Sequence, residues 1–337
     1  MSRAKLHYMN PVIEIDGLSV KLGKQEVLRD ISCKLGGAGG GRAIGLLGPN
    51  GAGKSTLIRT LFGFHKPSAG RTRILGHDCR EDSRALKAMV GYMPETDAFV
   101  AEQTAVRFVR IMGELSGLPP RVALERAHDV LFHVGLGEAR YRQIGTYSVG
   151  MKQMAKLAQA IVHSPEFLIL DEPTNGLDPA ARSRMLELVR EMTDKHGMSV
   201  LLCSHLLRDV EAVCDEVIIL NEGRIVHHAD LEAERRANRR FVELEVAGDD
   251  TGLGIALHEH GAEVVGEGHG RWRIVLPEGV EFEVIWRLVH RENLRVRHLS
   301  HRRDSLEEIF LRAVGHIDST LPDGGVPAEE MVADGRL

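Results

Sequence analysis

No stretch of this sequence approaches the roughly 18 consecutive apolar residues that a membrane-spanning helix needs. Cysteine is sparse: Cys33, Cys79, Cys203 and Cys214 lie far apart with no CxxC pair. That usage excludes a disulfide scaffold and a cysteine zinc centre, and it is ordinary for the cytosol. Excess positive charge is also missing, since 43 Lys+Arg stand against 48 Asp+Glu and leave a net charge of -5. Such a balance argues against non-specific nucleic-acid binding. Met1 to Asn10 has no apolar core of the signal-peptide kind. With 43% hydrophobic and 27% charged residues, the 337-residue chain has the apolar content to pack a core. It is long enough for one large domain and a smaller companion. The expectation is a soluble cytoplasmic protein whose function is carried by local motifs.

From Gly48 to about Ala229, short apolar runs alternate with helical stretches. Strands are expected at Arg42–Leu47, Phe167–Leu170, Ser199–Cys203 and Val217–Leu220, and helices at Thr104–Ser116, Arg121–His133, Met151–Val162, Pro179–His196 and Leu206–Val213. Continuous apolar strands between helices indicate a mostly parallel sheet covered on both faces. Extended runs at Val12–Ile15, Leu18–Leu22 and Val27–Leu35 precede them. The run from Gly36 to Gly41, five glycines in six positions, reads as a connection, because neither Lys-Ser/Thr nor a helix follows it. Past the basic stretch Arg235, Arg236, Arg239 and Arg240 the pattern changes. Strands at Phe241–Val246, Arg271–Leu276 and Leu294–Leu299, with helices at Val280–His290 and Ser305–Val314, predict a separate α+β module. The tail beyond Gly315 has too little apolar content to pack.

Gly48-Pro49-Asn50-Gly51-Ala52-Gly53-Lys54-Ser55 fits G-x-x-x-x-G-K-[ST]. Glycines let the backbone wrap a phosphate with its N–H groups inward, Lys54 brings a point charge, and the Ser55 hydroxyl can reach Mg²⁺. A strand before the loop and a helix after it place a positive helix end at the anion. Phe167–Leu170 then runs into Asp171 and Glu172. Alternation along a strand points neighbouring side chains in opposite directions, so the two carboxylates have different work. Asp171 suits Mg²⁺, and Glu172 suits deprotonating a water that attacks the γ-phosphate. Ser148 and Gly150, just before an amphipathic helix, put a hydroxyl and free amides at its positive end.

In this order the segments resemble the ATP-binding subunits of ABC transporters, over about Val12 to Ala229. Gly48 to Thr56 looks like the Walker A segment and Phe167 to Glu172 like Walker B. Ser148-Val149-Gly150-Met151-Lys152-Gln153 looks like the signature motif, and Asn175-Gly176-Leu177-Asp178 like the D-loop. Ser204-His205 resembles the switch histidine, and Glu95 stands where the family carries its loop glutamine. The resemblance implies an α/β P-loop NTPase of the ABC type, a mixed sheet core with a helical subdomain near 97–163. Together with the sequence pattern, it implies an ATP-binding domain over 1–236 and a smaller C-terminal α+β domain over 240–315, and the low apolar content beyond them predicts a disordered tail over 316–337. It further implies that Glu172 is the general base and that His205 senses the γ-phosphate. Nucleotide falls to residues 48–56, Ser148, Gly150 and Asp178, and Mg²⁺ to Ser55, Asp171 and Glu95. Two such domains would pair head to tail, so that Ser148 and Gly150 touch ATP held by the partner, a second copy or a paralogous ATPase. An integral membrane permease would be the other partner, with the ATPase peripheral on the cytoplasmic face of the membrane.

Four positions depart from the family pattern. Glu95 replaces glutamine, Val149 replaces the first signature glycine, and Met154 stands where arginine is common. Leu22 takes the place of an aromatic that stacks on adenine, so base binding is expected to use aliphatic contact. Glu95, the signature segment and Leu306-Glu307-Glu308-Ile309-Phe310-Leu311 together resemble the daunorubicin-resistance branch of exporters. The alternative is a soluble ABC ATPase working on nucleic acid or ribosomes. Translation-factor relatives carry two nucleotide domains, whereas this chain has one Walker A; repair relatives have long heptad insertions, whereas Ser55 and Ser148 are 93 residues apart (148 − 55). The arginines from Arg291 to Arg303 lack interleaved aromatics for stacking bases and read as a solvated strand face. Direct nucleic-acid contact is therefore not expected. His258 and His260, near the end of a helix and with no cysteine pattern beside them, are not read as a metal site.

Overall fold

The computed structural model describes residues 11–37, 41–231, 233, 241–248, 250–277, 280, 282–301 and 310. The basic stretch Arg235 to Arg240, the segment Ser305–Val314 apart from Phe310, the first ten residues and the tail lie outside them. The predicted limits at 236, 240 and 315 fall there too.

Strands β1 (Ile13–Leu22), β2 (Gln25–Leu35), β4 (Ala69–Ile74) and β5 (His77–Asp78) form an antiparallel sheet in the order β2-β1-β4-β5. A second sheet runs β10-β9-β3-β8-β7-β6, from β3 (Ala43–Leu47), β6 (Val90–Met93), β7 (Phe167–Asp171), β8 (Ser199–Cys203), β9 (Glu216–Asn221) and β10 (Arg224–Asp230). All its pairings are parallel except β10 on β9. Helices α1 (Lys54–Leu61), α2 (Ser83–Met89), α3 (Ala105–Leu115), α4 (Pro120–His133), α5 (Val149–Ile161), α6 (Pro179–Asp194) and α7 (Leu207–Val213) connect these strands.

Both faces of β3, β7, β8 and β9 are buried, which is why these strands read as near-continuous apolar runs, whereas the edge strand β10 is largely exposed. Leu168, Leu170, Val200, Leu202, Val217 and Ile219 enter one core with α3 to α7. Their neighbours Phe167, Ile169, Leu201, Cys203, Ile218 and Leu220 enter the other core, with α1 and the antiparallel sheet. Period-two alternation thus fills two layers at once. Truncating a residue such as Leu202 costs about 2–5 kcal/mol in cores of this kind.

A third sheet, in the order β12-β13-β11-β14, is built from β11 (Phe241–Ala247), β12 (Glu263–Gly268), β13 (Arg271–Val275) and β14 (Arg295–His301). With α8 (Leu253–Glu259) and α9 (Glu283–Arg291) it closes its own core around Leu244, Leu257, Ile274 and Ile285. No helix among the described residues is long and apolar enough to cross a membrane.

Candidate functional site

Parallel register brings the site together. Leu46 of β3 and Asp171 of β7 both pair with Cys203 of β8, and Met93 of β6 pairs with Leu170. Four strands therefore end at one edge, and their next residues are the glycine loop, Glu172, Ser204-His205 and Pro94-Glu95. Ligands bind at this carboxyl edge in open α/β sheets because loops and helix starts converge there. A cleft of about 710 Å³ opens at that edge, lined by Gly48, Pro49, Asn50, Gly51, Gly53, Lys54, Ser55, Thr56, Glu95, Asp171, Glu172, Asn175 and His205. Its size falls within the about 300–1,000 Å³ of small-molecule sites.

The loop holds its shape through backbone that only glycine accommodates. Gly53 has φ 107° and caps α1, and a Cβ there would lie 2.7 Å from Leu28. A Cβ on Gly48 would strike the Leu220 carbonyl oxygen at 2.2 Å. Lys54 Nζ donates to the Gly48 and Pro49 carbonyls at 2.6 and 3.1 Å, so its ammonium is held over the loop. Ala52 is not part of the lining; its methyl packs in the core beneath.

Strand alternation predicts that Asp171 and Glu172 point in opposite directions; instead both line the cleft, because the strand ends between them. Strand β7 ends at Asp171, and Glu172 adopts a left-handed φ of 51° while its N–H donates to the Cys203 carbonyl. That turn keeps both carboxylates on the cleft. Glu172 Oε2 lies 2.7 Å from His205 Nδ1. Burial pushes the Glu172 carboxyl above the usual glutamate range, against the opposing pull of His205. Burial also raises Asp171, which accepts a hydrogen bond from Tyr92, whose own phenol is pushed up to about 12. Ser55, Glu95 and Asp171 offer a hydroxyl and two carboxylates, an all-oxygen donor set that suits a hard cation such as Mg²⁺.

Ser148, Gly150 and Asp178 lie outside this cleft's lining. Ser148 caps α5 by accepting from the Met151 N–H at 3.3 Å, and Asp178 caps α6 by accepting from Ala181 at 2.9 Å. Val149 beside them is exposed. Leu22 does not line the cleft either; its apolar wall comes from Val27, Leu47 and Phe310.

Two contributors escaped sequence reasoning. Lys156 is 2% exposed and donates to the Pro94 and Glu95 carbonyls at 3.1 and 2.8 Å. On the same face of α5, Lys152 reaches Asp97 and Gln159 holds the Tyr92 carbonyl. The helix begun by Ser148 thus clasps the loop carrying Glu95. A lone lysine inside Ala155-Lys156-Leu157-Ala158 was the available signal. Phe310 is the other; only the resemblance of its segment singled it out.

A family model described as "ABC transporter" matches residues 29–175. The uncharacterized ABC transporter ATP-binding protein YxlF of Bacillus subtilis (strain 168) is 35% identical over 272 residues, 80% of this chain and 90% of that protein. The daunorubicin resistance ATP-binding protein DrrA3 of Streptomyces coeruleorubidus is 29% identical over 307 residues, 90% of this chain and 96% of that one. A solved ATP-binding subunit of an ABC transporter superposes with TM-score 0.59 at 31% identity, over 67% of this chain and 92% of that one. The chain belongs to the family of ABC transporter ATP-binding proteins. It is an ATP-hydrolysing cassette, and one of its relatives is named for daunorubicin resistance.

Proposed function

We propose that this chain powers a separate integral membrane permease, for export, from the cytoplasmic face of the membrane. Residues 1–236 would form the ATP-binding domain, with a helical subdomain near 97–163, and residues 240–315 an accessory domain. One observation carries the catalytic part: Glu172 and His205, 2.7 Å apart, face the same cleft as Lys54 and the loop amides.

In this reading the loop amides of residues 48–56 bind the phosphates, and Lys54 exchanges its carbonyl partners for phosphate oxygens. Glu172 takes the proton from the attacking water, and His205 orients that carboxylate and meets the γ-phosphate. Ser55, Asp171 and Glu95 would hold Mg²⁺, which neutralises phosphate charge when bound with ATP. Ser148 and Gly150 sit at an exposed helix start away from the chain's own cleft, and this supports completion of each site by a second ATPase, the same or a paralogue. Export is favoured by the likeness to the daunorubicin resistance protein.

Lys54→Ala is expected to weaken turnover by about 10²–10³-fold, as loss of one preorganised charge partner does. Calorimetric titration with Mg²⁺-ATP should show the affinity falling as well. Unchanged affinity would remove Lys54 from the phosphate site. Purification of the full chain from membranes should bring an integral membrane protein with it in fixed ratio; recovery only with ribosomes would favour the alternative.

A further inference from the structure

Glu191 lies in the last turn of α6, and His196 follows that helix by two residues. The final residue of α4, His133, approaches them from a different part of the fold. One donor atom from each of the three lies within 4.8 Å of the other two. We infer that His133, Glu191 and His196 form a binding site for a zinc-type divalent cation, apart from the nucleotide cleft.

Three features of the local chemistry support it. His133 Nε2 is buried and has no hydrogen-bond partner, an arrangement that folded proteins rarely leave unsatisfied. It faces Glu191 Oε2 at 3.9 Å, too far for a hydrogen bond and close to a shared-ligand separation. In a tetrahedral zinc site, bonds of about 2.0–2.2 Å place neighbouring donors roughly 3.4 Å apart. About half an ångström of closure is needed there, and exposed His196 can turn to supply the third donor. Second, Lys195 takes only Oε1 of Glu191, at 3.2 Å, and leaves Oε2 to the histidines. Third, two imidazoles and one carboxylate are a borderline donor set that suits zinc, whereas Mg²⁺ prefers all-oxygen sites. Three protein ligands leave a fourth position for water.

A cation there would tie the end of α4 to the end of α6. The other end of α6 starts at Pro179, directly after the loop that carries Asn175 into the nucleotide cleft. The site thus lies at the far end of a rigid element that begins beside the nucleotide.

The nucleotide-free full-length chain is titrated with Co²⁺, followed by visible absorption, and then with Zn²⁺ by competition. One Co²⁺ per chain with the strong bands of four-coordinate geometry is expected. His196→Asn changes an exposed residue and keeps the fold intact; it should weaken the metal at least about tenfold, as should Glu191→Gln. His258→Asn is the control for the chain's other histidines and should change nothing. At a hundredfold excess over its Kd, Zn²⁺ should raise the melting temperature of the parent chain by at least about 3 °C, and not that of His196→Asn. Weak six-coordinate spectra, or equal affinity in the parent and both ligand variants, would overturn the site.

Discussion

Glu172→Gln is expected to reduce ATP turnover by about 10²–10⁴-fold while ATP still binds. An amide keeps the size of the side chain and can still bond to His205, but it cannot accept a proton from water. Under the proposed function, binding rests on Lys54 and the loop amides, which the substitution does not touch. The variant should therefore accumulate with ATP bound, and under the proposed pairing it should elute as a dimer in Mg²⁺-ATP and a monomer in its absence. Phosphate release near the parent rate would show that another group activates the water. The pH profile supplies an independent check. Burial raises the Glu172 pKa, and the base works only when ionised, so turnover should fall on acidification at a higher pH than an ordinary glutamate would dictate. An acid limb at or below the usual glutamate range would contradict that environment.

Asp209→Ala is expected to destabilise the fold by about 3–5 kcal/mol, toward the lower end because water can reach Arg182. The Asp209 side chain is 1% exposed and holds Arg182 Nε and Thr174 Oγ1, each at 2.5 Å. This carboxylate in α7 thereby fastens α6 and the segment just past Glu172 to each other. Removing it leaves a guanidinium and a buried hydroxyl without their acceptor. Urea unfolding measures the loss directly, and a change below about 1 kcal/mol would mean that solvent replaces the bridge.

The parts of the fold that were legible are those whose cause is local. The central strands announce themselves because burial on both faces demands apolar runs, and the loop at Gly48 because only glycines fit its contacts. Ser148 was readable as a helix start from its residue type, whereas the capping role of Asp178 emerges only in the structure. What escaped depends on residues distant in sequence. Nothing near Glu263–Gly268 or Ser83–Met89 marks a strand or a helix strongly, and each is fixed by its neighbours in space. Lys156 reads as one more polar residue on a helix until Glu95, sixty-one positions earlier, comes to lie under it. The expected role of Leu22 rested on the family's pattern, whereas the chain's path places Val27 at the cleft. The candidate nucleotide site was proposed from motifs and their order, and its geometry emerges only through the parallel register.

The left-handed backbone at Glu172 sets chemistry against folding. A non-glycine residue held there costs about 1–3 kcal/mol, and glutamate has no intrinsic preference for it. Asparagine tolerates that conformation better. Glu172→Asn should therefore melt no lower than the parent protein while losing turnover. Selection for thermal robustness alone would drive position 172 away from glutamate, so, if Glu172 is the base proposed above, a stabilised version of this ATPase must leave that one residue untouched.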